Sequence, residues 1–311
     1  MSILVTGGAG FIGSNMVDVL IEKGKEVIIV DNLSTGYKEN INEKAIFYNI
    51  DLTDRKLFDV FDNHDIEKVI HLGAQIDVTR SVNDPIYDSH VNIQGSINLF
   101  QACVKHETKK VVYASSAAVY GEPNYLPINE KHRVKAMSPY GVSKHTPEHY
   151  LKYFNKEYGL DYTVLRYSNA YGPRQSAAGE GGVIAIFIDR MLDSKRPVIY
   201  GDGEQTRDFI HVYDVIQANL KAMDTDTASR KTLNVSTRSE TTVNKLVKLI
   251  NEELDKQIEP IYKERKKGDI RHSILDNSKA LDYLDWEPQY EIEEGIKQTV
   301  KYYLQRGQNN G

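Results

Sequence analysis

Residues 138–144 read Ser-Pro-Tyr-Gly-Val-Ser-Lys, which sets a phenol, Tyr140, four residues before an ammonium, Lys144. If Pro139 opens a helix, as its fixed φ and missing N–H allow, that spacing stacks both side chains on one helical face. A phenol beside an ammonium has its charged form favoured, so its proton affinity falls from about 10 toward neutral pH, where it can serve as an acid or base. Such a pair also arises by chance in a chain of this length. Its meaning rests on the elements that surround it.

The first of these is at the N-terminus. Residues 2–6 form a short apolar run that ends on glycines, as a buried parallel strand does. Gly7-Gly8-Ala9-Gly10-Phe11-Ile12-Gly13 follows, then a helical pattern over 14–23 closed by Gly24, then a second apolar run over 26–30 before Asp31. A pyrophosphate needs close approach of backbone amides and a helix N-terminus, which a Cβ at Gly7 or Gly10 would obstruct, while Gly13 lets the helix lie close on its strand. Asp31 can accept from both ribose hydroxyls and would repel a 2′-phosphate, so the unit predicts NAD rather than NADP.

The alternation continues with strands at 45–49, 69–72, 111–114 and 161–166, and helices at 56–63, 92–106 and 140 to about 158. This rhythm predicts an α/β fold: a doubly wound, mostly parallel Rossmann sheet with a smaller C-terminal substrate lobe. Ligands of such sheets sit at the carboxyl ends of the strands, where the glycine turn, Asp31, Gly73, Ser116 and Asn169 all fall. Asp51 and Leu52 follow their strand at the adenine end, whereas His71, within a strand, reads as a packed core histidine. Pro147, inside the Tyr140 helix, predicts a local kink or widened turn.

Beyond Asn169 the pattern changes. Residues 171–182 are rich in glycine and small polar residues and read as a mobile loop over the site. Helices are expected at 183–193, 214–223 and 242–254, with a short strand at 198–200, Arg207 on a strand lining the cleft, and 232–235 rejoining the main sheet. The end, 259–304, reads as a small lobe with a basic loop at 263–271 and helices from Ser278 and Ile292, and 305–311 as frayed. Residues 1–171, completed by about 208–240, form the expected NAD-binding domain; 172–207 and 241–311 form the substrate lobe.

Composition narrows the function class. The net charge of −5 leaves no basic footprint for nucleic acid, and no run approaches the 18 or so apolar residues of a membrane span. Met1 leads into a strand rather than a signal peptide, and Cys103, the single cysteine, excludes an internal disulfide and a thiolate metal site, so a soluble cytoplasmic protein is expected.

Read in order, the motifs at 6–14 (TGGAGFIGS), 115–121 (SSAAVYG), 140–144 (YGVSK), 166–174 (RYSNAYGPR), 207–214 (RDFIHVYD) and 268–273 (GDIRHS) strongly resemble the extended short-chain dehydrogenase/reductase family. Within it the likeness is to nucleotide-sugar 4-epimerases of the UDP-glucose 4-epimerase type, over residues 3–288. The resemblance implies that Tyr140 takes the proton of the sugar 4-hydroxyl while C4 passes a hydride to NAD, that Lys144 holds the nicotinamide ribose and lowers the pKa of Tyr140, and that Ser116 hydrogen-bonds the same sugar oxygen. It further implies NAD contacts from Gly7, Gly10, Phe11, Ile12, Gly13, Asp31, Asn32, Asp51, Leu52, Gly73, Tyr140, Lys144 and Tyr167. For the UDP-sugar it implies Ser116, Tyr140, Asn169, Gly182, Val183, Arg207, Lys266, Asp269 and Ser273, with Arg207 and Asn169 at the diphosphate.

Branch choice rests on Ala117-Ala118. The related dehydratases carry an Asp-Glu pair there to expel water, and the decarboxylases a glutamate nearby; without carboxyls only the C4 redox step is supported. Lys266 stands where relatives often have arginine, beside Arg265. Ser273 replaces a bulky residue, which leaves room for a 2-acetamido group, so UDP-GlcNAc and UDP-GalNAc are expected alongside UDP-Glc and UDP-Gal. Two other readings are a UDP-uronic acid 4-epimerase, with Arg174 or Arg80 facing the carboxylate, and a non-catalytic NAD-binding regulator, against which stands the presence of Tyr140, Lys144 and Ser116 together. Apolar stripes on helices 92–106 and 140–157 predict a homodimer.

Overall fold

Seven short runs rich in Val and Ile build the centre of the molecule. The computed structural model describes residues 1–177, 182–266 and 270–309. Its main sheet is parallel throughout, in the order Lys231–Val235, Asp161–Tyr167, Lys110–Ser116, Ile66–His71, Ser2–Thr6, Val27–Asp31, Ile46–Asn49. Strand order reverses at the first strand, so the glycine turn that follows it lies at the switch point where such sheets bind ligands.

Side chains alternate between two buried layers, which is why the strands read as unbroken apolar runs. Val5, Ile29, Ile70 and Val112 pack with Met16 and Leu20 of the helix Phe11–Glu22 and with Val215 and Ile216 of Val212–Asp224. Leu4, Ile28, Val69 and Val111 face the other way, onto Leu57 and Val60 of Leu57–Asn63, Leu99 and Phe100 of Gly95–Lys105, and Leu151 and Phe154 of Pro139–Tyr158. A separate cluster, with Ile188, Ile250 and Ile296 from the helices Val183–Leu192, Val243–Leu254 and Ile292–Asn309, makes the core of the second part.

Three local expectations are corrected. Helix precedes residue 92: Asp84 accepts from Tyr87 N at 3.0 Å and Pro85 starts the helix Pro85–Ser89, which passes through a π turn, His90–Gln94, into Gly95–Lys105. The helix Pro139–Tyr158 runs as continuous α-helix through Pro147, with no widened turn there. The last helix continues to Asn309 rather than fraying from 305, because Arg306 pairs with Glu39 at 3.0 Å and lies over the Tyr37 ring.

Candidate active site

A cavity of about 1060 Å³ opens along the carboxyl ends of the strands. At one end is the glycine turn. Gly7 has φ +70, and a Cβ on it would stand 2.7 Å from Gly73 N. A Cβ on Gly13 would stand 2.0 Å from Gly7 O, so the helix Phe11–Glu22 touches the turn backbone to backbone. That helix starts at Gly10 with no side chain capping it and no acid in its first turn, and Gly10, Phe11 and Ile12 line the cavity. An uncapped helix N-terminus without an acid suits a phosphate.

Asp31, at the end of its strand, is held by backbone: Oδ2 accepts from Ala9 N at 3.0 Å and Oδ1 from Leu33 N at 2.8 Å. Each oxygen keeps a second lone pair for a ribose hydroxyl. Asn32 donates to Asp51 at 2.6 Å. Burial works to raise the Asp51 carboxyl, but hydrogen bonds from Thr53 and Asn32 outweigh it and hold the group below its ordinary range. Leu52 and Gly73 form the wall beside it. This cradle fits a dinucleotide with an unphosphorylated ribose.

At the other end stand Ser116, Tyr140 and Lys144. Ser138 caps the helix by accepting from Gly141 N at 3.2 Å, and Pro139 takes its first position. Tyr140 is fixed by its own N–H, which donates to the buried Ser81 hydroxyl at 3.1 Å. Its side chain lines the cavity together with Ser116, the last residue of Lys110–Ser116, whose oxygen accepts from Ala118 N at 3.2 Å. Lys144, buried one turn on, has Nζ 4.8 Å from the centre of the Tyr113 ring.

The electrostatics differ from the expectation drawn from the Tyr-Lys spacing. Burial raises the Tyr140 phenol above its ordinary value; the Ser116 hydrogen bond opposes this and the Asp88 carboxylate adds to it. Lys144 is itself pulled down to about 8 by burial, against Asp88 and Glu148. Desolvation, invisible to a count of residues, outweighs the proximity of the pair.

The remaining expected contacts divide. Asn169 and Arg207 line the cavity, and Asp208 between them in space holds their segments: its carboxylate accepts from Ser168 Oγ at 3.3 Å, Thr237 N at 3.0 Å and Leu275 N at 3.2 Å. Ser273 pairs in register with Arg207 and shares the wall with Gly182. Tyr167 reaches the cavity while its hydroxyl donates to Asn219 at 2.9 Å. Val183 packs against the second core, and Lys266 Nζ lies 4.6 Å from the Tyr200 ring. Asp269 and residues 178–181 of the expected loop lie outside the described residues. His71 sits where a core histidine was expected, bonded to Thr6 at 2.7 Å and Ser96 at 2.9 Å, and burial holds it down to about 3.

Sequence reading missed the polar layer behind Tyr140. Asp88, Asn92 and Ser96 are each at most 2 % exposed. Their spacing of four, on the side of the helix that should be apolar, was the available signal. Among the described residues there is no group of three His, Cys, Asp or Glu able to hold a metal, and no described helix is long and apolar enough to cross a membrane.

Residues 3–236 match the model of the NAD dependent epimerase/dehydratase family. The fold also superposes on solved structures. A UDP-glucose 4-epimerase from Thermotoga maritima, solved with UDP-glucose, is 47% identical with TM-score 0.96, over 98% of this chain and 99% of that one. A UDP-N-acetylglucosamine 4-epimerase from Methanobrevibacter ruminantium, in complex with UDP-N-acetylmuramic acid, is 40% identical with TM-score 0.93, over 98% of each chain. A Thermus thermophilus UDP-glucose 4-epimerase, complexed with NAD, is 37% identical with TM-score 0.92, over 98% and 99%.

Proposed function

The chain belongs to the NAD dependent epimerase/dehydratase family, and from that premise we propose that it inverts C4 of a UDP-hexose, interconverting UDP-Glc with UDP-Gal and UDP-GlcNAc with UDP-GalNAc. The observation that carries this is that Tyr140, Ser116 and Lys144 line the same cavity as the glycine turn and Asp31. NAD, when bound, takes up and returns the C4 hydride, and its positively charged ring favours the phenolate form of a neighbouring tyrosine.

Tyr140 moves the proton at the sugar's 4-oxygen, and Ser116 hydrogen-bonds that oxygen and shares the proton. Lys144, whose proton affinity burial lowers to about 8, stands one helical turn from the phenol and would hold the nicotinamide ribose. Arg207 and Asn169 suit the diphosphate, since a guanidinium makes charge-assisted bonds to phosphate oxygens. Ala117 and Ala118, in the turn Ala117–Val119 after Ser116, offer no carboxyl for elimination of water, so the keto sugar is reduced again rather than dehydrated. Ser273, small and on the cavity wall, supports acceptance of the 2-acetamido sugars.

We assign residues 1–171, completed by about 208–240, to NAD and residues 172–207 with 241–311 to the sugar nucleotide. The uronic acid reading is the less favoured one: Arg174, although it lines the cavity, is paired with Asp18 at 2.7 Å, and the Arg80 guanidinium lies 3.8 Å over the Tyr87 ring. Two copies are expected to pair, but the apolar residues Leu99, Phe100 and Cys103 of the expected 92–106 face are buried in the core, so we place the pairing on Pro139–Tyr158 with Val78–Asn83 and Pro85–Ser89, which pack together and expose Val82, Ile86, Val142 and Tyr153. The buried Cys103 thiol suits a reducing compartment, so we place the protein in the cytoplasm.

The test is proton NMR of the purified protein mixed separately with UDP-Glc, UDP-GlcNAc and UDP-GlcA, without added NAD and again with it. New galacto-type anomeric signals are expected from the first two sugars. Conversion of UDP-GlcA alone would overturn the reading.

A further inference from the structure

Asp88 is 1 % exposed, and its carboxylate is only half used. Oδ1 accepts from Gln75 Nε2 at 2.8 Å and from Asn92 Nδ2 at 3.3 Å, while Oδ2 is buried with no hydrogen-bond partner among the described residues. A buried charge left partly unsatisfied is costly, and a purely structural polar node here could be built from neutral amides.

The acid is tied to the catalytic helix. Asn92 also donates to Ser143 Oγ at 2.9 Å, and that hydroxyl donates to Tyr140 O at 3.0 Å, so the chain Asp88, Asn92, Ser143 ends on the turn that carries Tyr140 and Lys144. The π turn His90–Gln94 brings Asn92 between them, and such turns recur at functional sites.

We propose that Asp88 is a positioning residue for the C4 epimerisation inferred above, acting as the buried counter-charge that keeps Lys144 in its ammonium form beside Tyr140. The surrounding groups leave this task to it. Glu148, on the same helix as Lys144, is bound to Arg166 at 2.9 and 2.6 Å and accepts from Ser115 at 2.7 Å, so its charge is already matched. From the strand Lys110–Ser116, Tyr113 presents its ring to Lys144 Nζ and donates its hydroxyl to Lys144 O at 3.0 Å. From Ile66–His71, His71 stays neutral, held down to about 3 by burial. Of the groups that oppose burial of the Lys144 ammonium, Asp88 leads and Glu148 follows; on the Tyr140 phenol Asp88 acts in the same upward direction.

The test is the kcat–pH profile of Asp88→Asn between pH 5.5 and 10 with UDP-Glc and saturating NAD. Asn keeps an acceptor for Gln75 and Asn92 but removes the charge. Both limbs of the profile are expected to move to lower pH, the alkaline one by about one unit, a tenfold loss of proton affinity, with KM within twofold of wild type and unchanged NAD content. Asp88→Glu should restore the limbs. An Asp88→Asn profile lowered in height but unmoved in pH would overturn the proposal, because a structural role changes only the amplitude. If Asp88→Asn does not fold, Asp88→Ser is read in the same way, and failure of both to fold also overturns it. A wild type inactive on every UDP-hexose would instead sink the assigned reaction, an outcome seen before any variant is made.

Discussion

Gly10 and Gly13 lie three residues apart in one turn, yet replacing each by alanine should fail in different ways. A Cβ on Gly13 would stand 2.0 Å from Gly7 O, 2.7 Å from Gly7 C and 2.9 Å from Gly8 Cα, all backbone atoms that cannot rotate away. The helix and the first strand must then separate by about 1 Å, and overpacking of this kind costs about 1–3 kcal/mol. At Gly10, φ is −82 and the nearest protein atom to a Cβ is Gly7 O at 3.3 Å, so alanine needs a shift of only a few tenths of an ångström, and Gly10 lines the cavity. Gly10→Ala should therefore leave the cofactor-free protein within about 1 kcal/mol of wild type, the small shift being offset by its stiffer unfolded chain. Its NAD affinity should fall at least about tenfold, roughly 1.4 kcal/mol. The assays are the denaturant midpoint of NAD-stripped protein and calorimetric titration with NAD. Equal loss of stability in both variants, or unchanged NAD affinity in Gly10→Ala, would refute the assignment of packing to Gly13 and of phosphate approach to Gly10.

Glu148→Ala, which strands the buried Arg166 guanidinium, should lower unfolding free energy by about 3–5 kcal/mol in a denaturant titration, and Glu148→Leu with Arg166→Met should recover much of it. Asp208 is pushed up to about 6 by burial, against hydrogen bonds from Thr237, Leu275 and Ser168. Its folded pKa lies above its unfolded one, so its contribution is fully present below the unfolded value near 4 and is lost as pH rises through about 6. The Tm advantage of wild type over Asp208→Asn should thus be larger at pH 4.5 than at pH 7, and a pH-independent difference would count against it. In the same variant KM for the UDP-sugar should rise more than kcat falls, because the carboxylate holds the segments bearing Asn169 and Arg207.

The central sheet was legible because burial on both faces leaves uninterrupted Val and Ile runs, and the glycine turn because only that residue type permits contacts as close as those at Gly7 and Gly13. Pro139 marked the start of the catalytic helix to the residue. The sugar-binding side was harder. Thr206–Arg207, Thr241–Thr242 and His272–Ser273 are two residues long, too short for any periodicity, and their register is set by partners more than 30 positions away. Val183 and Lys266 follow family position rather than geometry: the one packs on the second core and the other lies by the Tyr200 ring. The proton affinity of Tyr140 was misjudged for a related reason: spacing reveals a neighbouring charge but not the desolvation that opposes it.

The most direct test of the account follows the hydrogen at C4. UDP-Glc carrying deuterium at that carbon, incubated with the protein in ordinary water, should yield UDP-Gal with the deuterium retained, and Tyr140→Phe should slow the conversion at least about 100-fold while still binding NAD. Deuterium lost to water, or a Tyr140→Phe variant as fast as wild type, would contradict it.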